Sequence, residues 1–167
     1  SKTFITNGQS ADLICLVAKT DKKQGARGVS LIMVETDGLE GFRRGRNLKK
    51  IGLKSQDTSE LFFDNVKVPQ THLLGTEEGQ GFYQLMKQLP WERLYIGITA
   101  LGSMDCALEE TTRYVQERKA FGQRVMDFQN TRFKLAEIKT KIEVTRSFIN
   151  DAITRLETGT LDAATAS

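Results

Sequence analysis

The residues of this chain best suited to chemistry gather at the two polar ends of one stretch, Leu89 to Gly122. At its start, Pro90, Trp91, Glu92 and Arg93 set a carboxylate directly beside a guanidinium. At its far end, Arg118 and Lys119 precede Phe121 and Gly122. A carboxylate that is ionised before its substrate arrives can act as a general base. A place in the first turn of a helix favours that anion through the macrodipole. Taken alone, such a Glu is ordinarily a helix-stabilising residue. Other chemistries find less support. His72 is the single histidine and has no Cys or carboxylate neighbours at metal-ligand spacing. Cys15 and Cys106 form no CxxC, sit in apolar surroundings and read as reduced core residues. Glu109 and Glu110 are followed by Arg113 at helical spacing and read as surface ion pairs.

The element that must position these ends is a long amphipathic helix. Leu94, Leu101, Leu108 and Val115 recur every seventh residue, with Ile98 in the same stripe. Pro90 suits the first helical position, where its missing N–H costs nothing. This puts Glu92 and Arg93 in the first turn, with Gly122 as the stop beyond a cationic last turn. Residues 82–89 form a separate short helical run ending before Pro90. After a connection over Phe121–Asp127, a second helix runs from about Phe128 to Glu157. Its stripes are Leu135, Ile142, Ile149 and Leu156, and Ile138, Thr145 and Ala152. Two such helices joined by a short link form an antiparallel pair. Asp162 reads as the N-cap of a third helix.

Residues before about 75 are strand-like. Candidate strands contain Phe4-Ile5, ended by the turn signal Asn7-Gly8, then Leu13–Ala18, Val29–Val34, Glu60–Phe63 and Val66–Val68. A basic run of Arg43, Arg44, Arg46, Lys49, Lys50 and Lys54 lies among them and reads as solvated or structural. The fold class is therefore α+β. An antiparallel sheet or barrel portion over 1–75 precedes long antiparallel helices of an up-and-down bundle over 76–167. Such a half sheet and helix pair would leave apolar faces uncovered, so the chain reads as cut at both ends and partners are expected.

Composition narrows the function. Of 167 residues, 39% are hydrophobic and 27% charged, which is globular rather than disordered. The net charge of +3 is spread evenly, with 12 Lys and Arg against 10 Asp and Glu up to residue 78 and 12 against 11 after it. That balance is a poor footprint for nucleic acid. No apolar run reaches the roughly 18 residues of a transmembrane helix.

Five ordered motifs then carry a resemblance: KTFITNG at 2–8, LKSQDTSELFFDNVKVP at 53–69, LLGTEEGQGFY at 73–83, LPWER at 89–93 and ERKAFGQRVMDFQ at 117–129. Together they resemble the acyl-CoA dehydrogenase family, and most of all its long-chain branch. The match covers essentially the whole chain, as the latter part of that family's middle β-domain and the first long helices of its C-terminal domain. The resemblance implies FAD as cofactor and the α,β-dehydrogenation of an acyl-CoA thioester. It further implies electron transfer to an electron-transfer flavoprotein. The assembly would be a homo-oligomer, usually a tetramer, with the flavin shared between subunits. Bacterial cytoplasm or the mitochondrial matrix is the implied location.

The resemblance also implies roles for individual residues. Glu92 matches the general base of the long-chain and isovaleryl branches, followed by the motif's Arg93, which supports that end of the helix. Pro90 and Trp91 match positions bordering the thioester, although Trp departs from the smaller or polar residue of many relatives. Tyr83 matches a substrate contact of the long-chain branch. Phe4, Ile5 and Thr6 match the aromatic-Ile-Ser/Thr motif that packs on the flavin ring. Arg118, Phe121, Gly122 and Gln129 match the segment that binds the FAD pyrophosphate and adenosine, for which the arginine fork is suited. Ala26 and Arg27 align with a CoA-contacting loop. Rival readings are an isovaleryl-like dehydrogenase, an acyl-CoA oxidase-like enzyme of the same fold, and a non-catalytic oligomerisation module.

Overall fold

The computed structural model describes residues 1–167, which divide into two compact units, Ser1–Leu85 and Met86–Ser167. The first unit holds strands β1 (Lys2–Thr6), β2 (Leu13–Lys19), β3 (Val29–Glu35), β4 (Phe42–Asn47) and β5 (Thr58–Phe63). β1, β5 and β4 form an antiparallel sheet in that order, and β2 pairs with β3 in a second one. β2 and β3 are β-rich apolar runs joined by a polar loop, which is the composition of a hairpin pair. Leu31, Val34 and Leu61 make the apolar core of this unit. Two buried serines are satisfied inside it. Ser30 Oγ lies 2.8 Å from Thr20 Oγ1 and accepts from Gly79 N–H at 2.9 Å, and Ser59 Oγ accepts from Gln9 Nε2 at 2.8 Å.

β4 shows the structural role of the basic run: Arg43, Arg44 and Arg46 are exposed residues of a strand that the sequence reading did not place. Each spends its long side chain on the sheet. The Arg43 guanidinium lies 3.7 Å from the centroid of the Phe62 ring, and Arg46 pairs with Glu60 at 3.5 Å. Arg44 donates to the carbonyls of Gly8 and Ala11 and to Thr36 Oγ1. Val66–Val68, expected as a strand, pairs with nothing: Asn65, at φ 53, turns the chain away at the end of β5.

α1 (Gly81–Glu117) is one unbroken helix with Pro90 inside it. This corrects both the separate run over 82–89 and the first-turn placement of Pro90, Glu92 and Arg93. Pro90 lacks the N–H that would bond the Met86 carbonyl, at a cost of up to about 3 kcal/mol. Strong helix formers on either side, and burial of Leu94 and Leu101 further along, outweigh that loss. α2 (Gln129–Glu157) follows. Leu94, Leu101, Ile142, Ile149 and Ala152 form the core cluster of the second unit, flanked by Ile98, Leu108, Ile153 and Leu156. The heptad stripes read from the sequence are thus the packed faces of α1 and α2. Arg146 of α2 bonds Asp105 of α1 at 2.5 Å. Ile138, placed in the second stripe, is 43% exposed.

Three further expectations change. The connection after α1 contains a small hairpin, β6 (Lys119–Ala120) with β7 (Gln123–Arg124). Its turn is Phe121-Gly122 at φ 51 and 81, the paired positive values of a type I′ turn, so Gly122 serves the hairpin and not the helix end. Cys15 and Cys106 are exposed, not core. Cys15 alternates with Ile14 and Leu16 on the opposite face of β2, and Cys106 lies two residues, about 200° of helix, from the Leu108 stripe. Asp162 opens a single turn rather than a helix, accepting from Thr165 N–H at 2.9 Å. No helix of the chain is long and apolar enough to cross a membrane.

Candidate active site

Glu92 lies in the interior of α1, far from the helix poles, and it is exposed. What surrounds it follows from helical spacing. Leu89, Tyr95 and Ile96 lie three or four residues away on the same face, and with Trp91 and Arg93 they line one groove with Glu92. Trp91, Tyr95 and Ile96 are 46%, 60% and 67% exposed, so the carboxylate stands in a largely apolar open surface. Any apolar body laid on this groove would cover the carboxylate together with its apolar neighbours. Arg93 points elsewhere, donating from Nη1 to Ser167 Oγ at 2.7 Å. Pro90 is half-buried beside them. Tyr95 and Ile96 were missed by sequence reasoning, although the i+3 and i+4 positions from Glu92 would have pointed to them.

In the first unit, Phe4 departs from strand geometry. The pairing of β1 with β5 slips between Lys2 and Ile5, and Phe4 sits at φ 57 inside that bulge. Its ring is 75% exposed, and Thr6 two residues on is exposed as well, with Ile5 between them half-buried. An exposed aromatic ring and an exposed hydroxyl two residues apart are groups that could lie against a flat heteroaromatic cofactor with polar edges. Ala26 and Arg27 lie in a tight turn over Gly25–Gly28. Gly79 seats this turn. It takes φ 82, and a Cβ there would fall 2.2 Å from the Arg27 carbonyl oxygen. Tyr83, near the start of α1, is half-exposed and packs edge-to-face on Phe82 with centroids 6.0 Å apart.

The third group surrounds the β6–β7 hairpin. Arg118 is exposed, and its carbonyl accepts from Val125 N–H at 2.8 Å, closing the hairpin's base. Phe121, almost fully exposed at the turn, stacks edge-to-face on Phe128 at 6.4 Å. Arg124 is committed to Asp127 through two hydrogen bonds of 3.0 and 2.9 Å, which hold the Asp127 carboxyl below its ordinary range. Gln129 opens α2, whose N-cap residue Phe128 supplies no side-chain acceptor. Arg118 is therefore the guanidinium left for an external anion at this hairpin.

Comparison with known proteins identifies the family. Residues 1–66 match the model of the acyl-CoA dehydrogenase middle domain and residues 79–167 that of the acyl-CoA dehydrogenase C-terminal domain. The chain is 48% identical to the mitochondrial long-chain specific acyl-CoA dehydrogenase of Rattus norvegicus, over 100% of the chain and 39% of that enzyme. Among solved structures it resembles an acyl-CoA dehydrogenase from Geobacillus kaustophilus, with 49% identity and a TM-score of 0.89 over 94% of this chain and 41% of that one. It also resembles butyryl-CoA dehydrogenase from Megasphaera elsdenii, at 38% identity and a TM-score of 0.91 over 99% of this chain and 43% of that one. The chain thus spans about two-fifths of the length of the relatives it matches.

Proposed function

Because this chain belongs to the acyl-CoA dehydrogenase family, we propose that the enzyme containing it oxidises an acyl-CoA thioester to its trans-2-enoyl product, with Glu92 as the general base. The observation that carries this reading is the groove on α1. Glu92 is its one carboxylate, among Leu89, Trp91, Tyr95 and Ile96. An acyl chain laid there covers the apolar side chains and dehydrates the carboxylate. Held beside the thioester, the Glu92 carboxylate would accept its α-proton. The helix dipole gives no help, since Glu92 is interior to α1.

Phe4, Ile5 and Thr6 would hold the flavin ring of FAD, the exposed Phe4 ring lying against it and Thr6 reaching its polar edge. Arg118, Phe121 and Gln129 would hold the pyrophosphate and adenosine end of an FAD shared with another subunit. FAD, when bound, supplies the acceptor at N5 for the hydride that leaves the β-carbon. Tyr83, Pro90 and Trp91 border the substrate, Arg93 steadies that stretch of helix, and Ala26 and Arg27 reach the CoA portion. Identity of 48% to the long-chain enzyme, against 38% to the butyryl one, favours a long acyl chain. Electrons would pass to an electron-transfer flavoprotein, from a homotetramer in bacterial cytoplasm or the mitochondrial matrix.

The test is anaerobic. Adding a long-chain acyl-CoA to the full-length, FAD-loaded enzyme should bleach the flavin absorbance and yield the trans-2-enoyl-CoA. A flavin that stays oxidised in the presence of bound acyl-CoA refutes the reading. Rapid peroxide formation in air would turn it toward the oxidase-like rival.

A further inference from the structure

We propose that Asp57 is a positioning residue for the flavin-facing end of β1, an inference that rests on the flavin-contact reading of Phe4, Ile5 and Thr6. Beyond the bulge at Phe4, only two pairs, Ile5 with Ser59 and Thr6 with Thr58, tie β1 to β5. The chain then reverses at once through Asn7, which lies at φ 65. Two pairs are a short lever for fixing an exposed aromatic ring and a hydroxyl, so the direction of this strand depends on the turn that follows it.

Asp57 collects the donors of that turn. Its carbonyl accepts from Asn7 N–H at 3.2 Å. Its Oδ2 accepts from Gln9 N–H at 2.7 Å. Within the turn, Ser10 Oγ donates to Asn7 Oδ1 at 2.9 Å. The acceptors of the same turn end on Arg44, which donates to Gly8 O at 3.2 Å and Ala11 O at 2.8 Å. An anion that takes the N–H groups and a cation that takes the carbonyls hold the segment from both sides, with charge-assisted bonds. Gln9 adds a third tie, from Nε2 to Gly45 O at 2.9 Å. Asp57 thus lies forty-eight residues from Gln9 in sequence and acts through the Asn7–Ser10 turn.

The experiment compares the full-length holoenzyme with Asp57→Ala and Asp57→Asn. It reads FAD affinity, the flavin absorption spectrum and reduction potential, hydrogen exchange of residues 7–11, and thermal stability. Asp57→Ala should speed exchange in the turn, weaken FAD binding about tenfold, and displace both spectrum and potential, since one charge-assisted bond is of that size. Asp57→Asn keeps an acceptor for Gln9 N–H and should restore most of each. An Asp57→Ala enzyme with a freed turn but unchanged affinity, spectrum and potential overturns the proposal. So does a loss confined to thermal stability. If Asp57→Ala yields no folded enzyme, Arg44→Lys replaces it, and an unchanged flavin spectrum and affinity there is equally fatal. A folded wild-type enzyme that binds no FAD instead refutes the flavin reading itself.

Discussion

Glu92 and Ile96 stand one helical turn apart on the same exposed face of α1, lining one groove with Leu89, Trp91 and Tyr95. In the proposed reaction this carboxylate takes the substrate's α-proton. Glu92→Gln in the full-length enzyme should therefore bind a long-chain acyl-CoA and leave the flavin oxidised. The bleaching rate should fall by about a thousandfold, within the range of a lost general base. Stopped-flow absorbance measures it. A mutant that bleaches at the wild-type rate moves the base outside this chain.

Pro90 leaves the Met86 carbonyl without its helical donor. Pro90→Ala restores the N–H, and the full-length enzyme should become more stable by about 1–3 kcal/mol, read from the denaturant midpoint. The same change adds a backbone hydrogen bond immediately before Trp91 and Glu92. Turnover should drop while stability rises, and an unchanged turnover would show that the groove does not depend on the proline.

Ile142 of α2 is buried at 1% exposure and packs in one cluster with Leu94 and Leu101 of α1. Ile142→Ala should cost about 2–5 kcal/mol in denaturant unfolding, through lost burial and the cavity left behind. Ile138→Ala, at the exposed position of the same helix, should cost far less in this chain. If Ile138→Ala costs as much in the full-length enzyme, another segment covers that face.

Arg124 holds the Asp127 carboxyl below the ordinary aspartate value of 3.8 through its side-chain hydrogen bonds. A folded-state value depressed below the unfolded one gives stability that is complete above the unfolded pKa. It is lost as pH falls through the folded value. Exchange protection of the β6–β7 hairpin should fall modestly as pH drops below about 4, the pair being solvent-exposed. Hydrogen exchange corrected for intrinsic rates reads this directly. Asp127→Asn should flatten the dependence, and a profile that stays the same assigns the hairpin's stability to other bonds.

Gly122 takes φ 81 beside Phe121 at φ 51. Gly122→Val puts a β-branched side chain where only glycine is at ease, and should open the hairpin by about 1–2 kcal/mol. If Arg118 and Phe121 hold the FAD phosphates and adenosine, FAD affinity falls about tenfold with it. Equilibrium titration of the apoenzyme with FAD checks the link.

The sequence by itself determined the two helices, their packed stripes, the strand-rich first half and the family. Those signals are local and periodic, and the motifs at Phe4, Glu92 and Arg118 are short contiguous strings. The tertiary structure decided what depends on energies weighed across the chain. Pro90 reads locally as a helix start, but helix formers on both sides and the buried Leu94 and Leu101 outweigh one missing hydrogen bond, so Glu92 is interior to α1 and not at its pole. The arginines of β4 look solvated because charge hides the strand, until Phe62, Glu60 and the carbonyls of Gly8 and Ala11 arrive as partners. Asp57 is legible only as part of the motif at 53–69; its role is not, since the N–H it holds belongs to Gln9, and only folding brings the two within 2.7 Å.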